Sequence, residues 1–117
     1  MTSPADELTR DELLVLAATL RVMMMADAKV TSEEVRAAAD IGRKLGLGEA
    51  EWEALWNEGT RAYPNADAVR KGAGQLKRVA AREAVYELLY ELADADSIAD
   101  EEWDILEWLD ETWLADP

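Results

Sequence analysis

Two short stretches hold the residues most able to do chemistry: MADAKVTSEE at positions 25–34 and LADADSIADEE at 92–102. Each follows an apolar run, contains Ala-Asp-Ala, reaches one aliphatic residue (Val30, Ile98) and closes on Glu-Glu. Their carboxylates, Asp27 and Glu34 in the first and Asp94, Asp96 and Glu102 in the second, are candidate ligands for Ca²⁺, Mg²⁺ or Mn²⁺, hard cations that prefer oxygen donors. The chain has no Cys and no His. That excludes disulfides, thiolate zinc sites, Ser-His and Cys-His nucleophilic pairs, and the imidazole that usually moves protons near neutral pH. Neither stretch fits a calcium-binding EF-hand loop. The twelfth residue from Asp27 is Ala38 and from Asp94 is Ile105; counting from Asp96 reaches Glu107, but Ile98 and Glu101 then fall at positions three and six.

A second set of carboxylates leads into the later stretch. Glu83, Glu87, Glu91 and Asp94 are spaced four, four and three apart, which places them on one helix face. Like charges at i,i+4 each cost about 0.2–0.5 kcal/mol in an isolated helix, and no base stands three or four residues from Glu87 or Glu91 to offset them. A stripe of this kind can meet a cation or a basic partner. It can also be a solvated face, or pair with Arg36, Arg43 and Lys44. The acids at helix starts (Glu33, Glu34, Asp100, Glu101, Glu102) likewise have a structural explanation in the helix dipole and the cap. Hydrolysis by paired carboxylates is the third possibility, and it would need a cleft holding two acids. The expectation is a protein without enzymatic activity.

Net charge is −14, unevenly placed: −5 over residues 1–66, +4 over 67–82 and −13 over 83–117, where thirteen acids stand with no base. Such a region repels nucleic acid and anionic lipid and attracts cations or a basic protein. The expected partner is therefore a protein with a basic surface, bound through Glu83, Glu87 and Glu91, and not nucleic acid. The basic segment Arg70, Lys71, Lys77, Arg78 and Arg82 either binds an anion or neutralises the protein's own acids. The most apolar run, residues 13–26, is too short to cross a bilayer and contains Arg21. With a polar, acidic start that does not read as a secretory signal, the expected location is the cytoplasm, with the inner-membrane periphery reached only through partners.

The elements that must position these groups read as helices throughout. Period-two alternation is absent, and at 117 residues one domain is expected. Thr9-Arg10-Asp11-Glu12 and Thr31-Ser32-Glu33-Glu34 are capping-box patterns. The first opens a buried helix running to about Asp27. The second opens an amphipathic helix with a stripe of Val35, Ala38, Ala39, Gly42 and Leu45, stopped at Gly46. Helices over 49–62 and 66–74 follow, separated by Tyr63-Pro64-Asn65. A strongly apolar helix spans Gln75 to about Ala93, and a last one spans Glu101 to Leu114. In the last helix Trp103, Leu106, Leu109 and Trp113 share a face. Trp108 falls off it and is expected at least partly at the surface, where it could anchor a partner; a fully packed Trp108 is the alternative.

The order buried helix, acidic elbow, amphipathic helix thus occurs twice. This arrangement resembles the TerB-like family, the helical domain of bacterial tellurite-resistance proteins, also found at the N-terminus of some DnaJ-type co-chaperones. Asp27, Val30 and Glu34 match the family's elbow; Asp94, Ile98 and Glu102 match it with one inserted residue, which leaves Asp94 and Asp96 as alternatives for the aspartate. Ala28 and Ala95 stand where the family has glycine. The resemblance covers about residues 10–114. It implies an all-α bundle of six or seven helices built from a duplicated unit, with an acidic surface near the elbows for a metal or a partner.

Overall fold

A computed structural model describes residues 8–25, 32–94 and 100–114, apart from the side chains of Glu101 and Leu114. Elbow residues Asp27, Val30, Thr31, Asp96 and Ile98 lie outside the described residues. Helix α1 (Arg10–Met25) starts at a complete capping box. The Thr9 hydroxyl accepts from the Glu12 N–H at 3.2 Å, and Glu12 Oε1 accepts from the Thr9 N–H at 2.7 Å. Every residue from Glu12 to Leu20 is buried, so α1 has no solvent face along these two turns and more. Thr19 is tolerated there because its hydroxyl donates to the Val15 carbonyl at 2.6 Å.

The helices α2 (Ser32–Lys44), α3 (Glu49–Ala62), α4 (Ala66–Gly74), α5 (Val79–Asp94) and α6 (Asp100–Leu114) complete an all-helical bundle, with no strand among the described residues. Helix α1 packs on α3, α4, α5 and α6, while α2 covers α3 and α5. At the α1–α3 crossing a Cβ on Gly59 would lie 2.9 Å from the Leu14 carbonyl oxygen, so only glycine lets these backbones meet. Leu16, Leu20, Leu89, Leu92, Leu106 and Leu109 are all fully buried and join α1, α5 and α6 in one core.

The turns follow local chemistry. Gly46 adopts φ 75°, the Leu47 N–H reaches the Gly42 carbonyl at 3.1 Å and the Gly46 N–H reaches Arg43 at 2.9 Å. This is the Schellman stop that the sequence places there. Asn65 caps α4 by accepting from the Ala68 N–H at 2.9 Å.

Three expectations require correction. Helix α5 begins at Val79, four residues later than Gln75: Leu76 is buried, but in a connecting segment whose carbonyl accepts from Arg82 Nε at 2.6 Å. In α2 the buried stripe is Glu34, Ala38, Ile41 and Gly42 leading to Leu45, whereas Val35 is 53% exposed and Ala39 is exposed. In α6 Ile105 joins Leu106 and Leu109 inside, and Trp103 is 41% exposed. Both faces are rotated by about one residue, and in both a glutamate takes the inward position.

Candidate functional site

The acids of α5 form a ridge. Glu83, Glu87, Glu91 and Asp94 are all exposed along one side of the helix. Facing them from α2, Lys44 Nζ lies 2.7 Å from Glu91 Oε2, both side chains being about half exposed. Arg43 instead pairs within its own helix, 2.6 Å from Asp40. On the α2 side the ridge borders a cavity of ≈ 460 Å³ lined by Lys44, Ala80, Glu83, Ala84, Glu87, Leu88 and Glu91. A smaller one of ≈ 280 Å³ brings Asp94 together with Glu91, Asp40 and Lys44.

The opposite flank of the ridge is different in kind. Between α5 and α6 lies a groove of ≈ 500 Å³ lined by Arg82, Glu83, Tyr86, Glu87, Tyr90, Asp110 and Trp113. Burial raises the Tyr86 pKa above the usual phenol value, with Asp110 and Tyr90 adding to it, so its hydroxyl stays protonated. Tyr86 and Tyr90 were not singled out from sequence. Each stands three residues after a ridge glutamate, Tyr86 after Glu83 and Tyr90 after Glu87, and that was the available signal, since 83, 86, 87 and 90 share one helix face.

Among the described residues three glutamates are buried, and each is the third residue of its helix: Glu12 in α1, Glu34 in α2 and Glu102 in α6. At Glu12 the partners are explicit. Besides the Thr9 box, Arg78 Nε donates to Glu12 Oε2 at 3.0 Å and its Nη2 to Oε1. The Arg78 hydrogen bond is the main reason the Glu12 carboxyl is held below its ordinary range; burial opposes the shift, and the Thr9 N–H assists it. Glu34 and Glu102 bring two of the sequence-nominated cation ligands inside the protein, to 3% and 2% exposure. Asp94 ends α5 on the surface, and Asp100 is already the first helical residue of α6. Among the described residues no three His, Cys, Asp or Glu side chains are grouped to hold a metal ion.

Much of the basic segment is spent within the protein. Arg78 is on Glu12, Arg82 on the Leu76 carbonyl, and the Arg70 guanidinium lies 5.3 Å from the centre of the Trp108 ring. Trp108 itself is half-buried, so the protein's own cation sits on the aromatic expected to anchor a partner. No helix among the described residues is long and apolar enough to cross a membrane.

Comparison with curated proteins and with solved structures gives no match. The family model described as tellurite resistance protein TerB matches residues 13–108, from the first buried turn of α1 through Trp108 in α6. The match spans both acidic elbows and the ridge between them, and the chain belongs to the TerB family.

Proposed function

We propose that this chain is a non-enzymatic interaction module of a bacterial stress-response system of the tellurite-resistance type, and that it offers its acids to a basic protein partner. The observation that carries this reading is the exposed α5 ridge of Glu83, Glu87, Glu91 and Asp94, within a stretch of thirteen acids and no base. Like charges one turn apart cost the helix stability. A basic partner turns that repulsion into attraction and steers its own approach. The same field disfavours nucleic acid. The module acts in the cytoplasm, or beside the inner membrane where a partner holds it there.

Titration with a basic protein should show binding that weakens steeply with salt, while duplex DNA at about 150 mM salt, where charges are screened beyond about 8 Å, should show none. Tight DNA binding would overturn the reading.

The burial of Glu34 and Glu102 at matching helical positions beside the two elbows favours a second reading, a divalent-cation sensor or carrier. Asp27 with Glu34, and Asp94 or Asp96 with Glu102, would supply the oxygens for Ca²⁺, Mg²⁺ or Mn²⁺. A cation that binds only the folded chain raises its melting temperature by mass action. Millimolar Ca²⁺ or Mn²⁺ should then raise the wild-type melt by several degrees, and Asp27→Asn and Asp94→Asn should each abolish the rise. An unchanged melt leaves the elbows as structure.

A further inference from the structure

The groove between α5 and α6 has an aromatic floor and acidic rims. Tyr86, Tyr90 and Trp113 supply the floor, and Glu83, Glu87 and Asp110 the rims. Tyr90 is 41% exposed and stands edge-to-face with Trp103, 6.1 Å between ring centres, so aromatic surface continues past the groove toward the start of α6. Arg82 is the one cation lining it, and its Nε is committed to the Leu76 carbonyl.

We propose that this groove docks a basic amphipathic helix of a partner protein, with apolar side chains against Tyr86, Tyr90 and Trp113 and Lys or Arg side chains against Glu83, Glu87 and Asp110. The proposal rests on the reading of the chain as an acidic interaction module and gives that module its contact surface. Periodicity argues for a helix. Glu83 and Glu87 are one turn apart, as are Tyr86 and Tyr90, so rim and floor repeat together at about 6 Å along the α5 axis. A partner helix with cations at i and i+4 beside an apolar stripe has the same repeat. Charge argues for a basic one. Tyrosine and tryptophan faces attract ammonium and guanidinium groups, and carboxylates at the rim add to that attraction. An acidic or neutral helix would leave two turns of glutamate facing it without compensation.

The test titrates the ¹⁵N-labelled full chain, near physiological salt, with a synthetic Lys/Leu peptide patterned as an amphipathic helix. A scramble of the same composition serves as control. The amides of 83–90 and 110–113 and the Trp113 indole should shift. Tyr90→Ala and Glu87→Gln, both exposed positions whose loss leaves the core untouched, should each weaken binding about fivefold or more, as expected for a central aromatic and its charged neighbour. The scramble should bind more weakly than the patterned peptide. Shifts confined to the α2 side around Lys44 and Glu91, or equal affinity for scramble and pattern, would overturn the groove while leaving the acidic-module reading intact. Tetramethylammonium displacing the peptide with comparable affinity would make this a small-cation pocket and also overturn it. If neither peptide binds, both the groove and the broader reading fall.

Discussion

The start of α1 and the outer face of α5 both concentrate carboxylates, and the protein uses them in opposite ways. Glu12 is buried, capped onto Thr9 and paired with Arg78, so its charge is matched inside the fold. Glu83 and Glu87 are exposed one turn apart, and each belongs to a ridge of like charge. The first arrangement stabilises a helix start; the second costs stability unless something basic covers it. Glu34 and Glu102 share the helical position and the burial of Glu12. The comparison therefore teaches that a buried glutamate at the third residue of a helix has a structural explanation at Glu12, although position alone does not bury it, since Glu51, third in α3, is exposed. A cation site there needs its own evidence.

The largest effect should come from breaking the paired acid. Glu12→Gln keeps the shape and one cap acceptor but removes the charge that Arg78 meets. A buried hydrogen bond to a charged group contributes about 1.5–3 kcal/mol, and Arg78 is half exposed, so about 2 kcal/mol is the expected loss in urea unfolding. The loss should depend on pH in a known direction. The folded carboxyl titrates below its ordinary 4.5. Its contribution is therefore fully present above about pH 4.5, the unfolded value, and disappears as pH falls through the lower folded value. Wild type and Glu12→Gln should differ by a constant amount near neutrality and converge in acid. A gap that does not narrow at all as the pH falls below about 4.5 would mean that the side chain acts by packing and not by charge.

The next effect is smaller and tests whether Glu34 belongs with Glu12. If its role is to cap α2, Glu34→Gln should cost about 1 kcal/mol or less, with or without divalent cations. A loss several times larger that appears only with Ca²⁺ or Mn²⁺ present would separate Glu34 from Glu12 and place it with the cation reading.

This pairing also shows what the sequence could and could not reveal. Helices α3 and α4 fall where the sequence places them, at about 49–62 and at 66–74, because Gly46 and Tyr63-Pro64-Asn65 punctuate them with local chemistry. The start of α5 does not. Leu76 continues the apolar pattern, and hydropathy does not distinguish a buried residue in a connection from one in a helix. In α2 and α6 periodicity assigns the glutamate at the third position to solvent, whereas Glu34 and Glu102 are buried. Of the candidate site, the α5 ridge followed directly from its spacing. The aromatic groove did not, since it needs Asp110 and Trp113 from α6 to face Tyr86 across a gap that only the tertiary packing sets.

The smallest predicted effect has the opposite sign to the others and belongs to the ridge itself. Glu87 stands four residues from Glu83 and four from Glu91, so Glu87→Gln removes two like-charge neighbours worth about 0.2–0.5 kcal/mol each. The variant should be more stable than wild type by a few tenths of a kcal/mol at low salt. The gain should vanish near 1 M salt, where screening acts within about 3 Å. Glu91→Gln provides the internal contrast. It also removes two such neighbours, Glu87 at i−4 and Asp94 at i+3, but loses the Lys44 contact at 2.7 Å, an exposed pair worth about 0–1 kcal/mol, so the changes offset and stability should barely move. Thermal melts of both variants at low and high salt measure the difference. Glu87→Gln should also bind a basic partner less well. A residue whose removal improves folding while impairing association is held for the partner and not for the fold. If Glu87→Gln instead destabilises the chain at every salt concentration, the ridge is structural, and the contrast with Glu12 collapses.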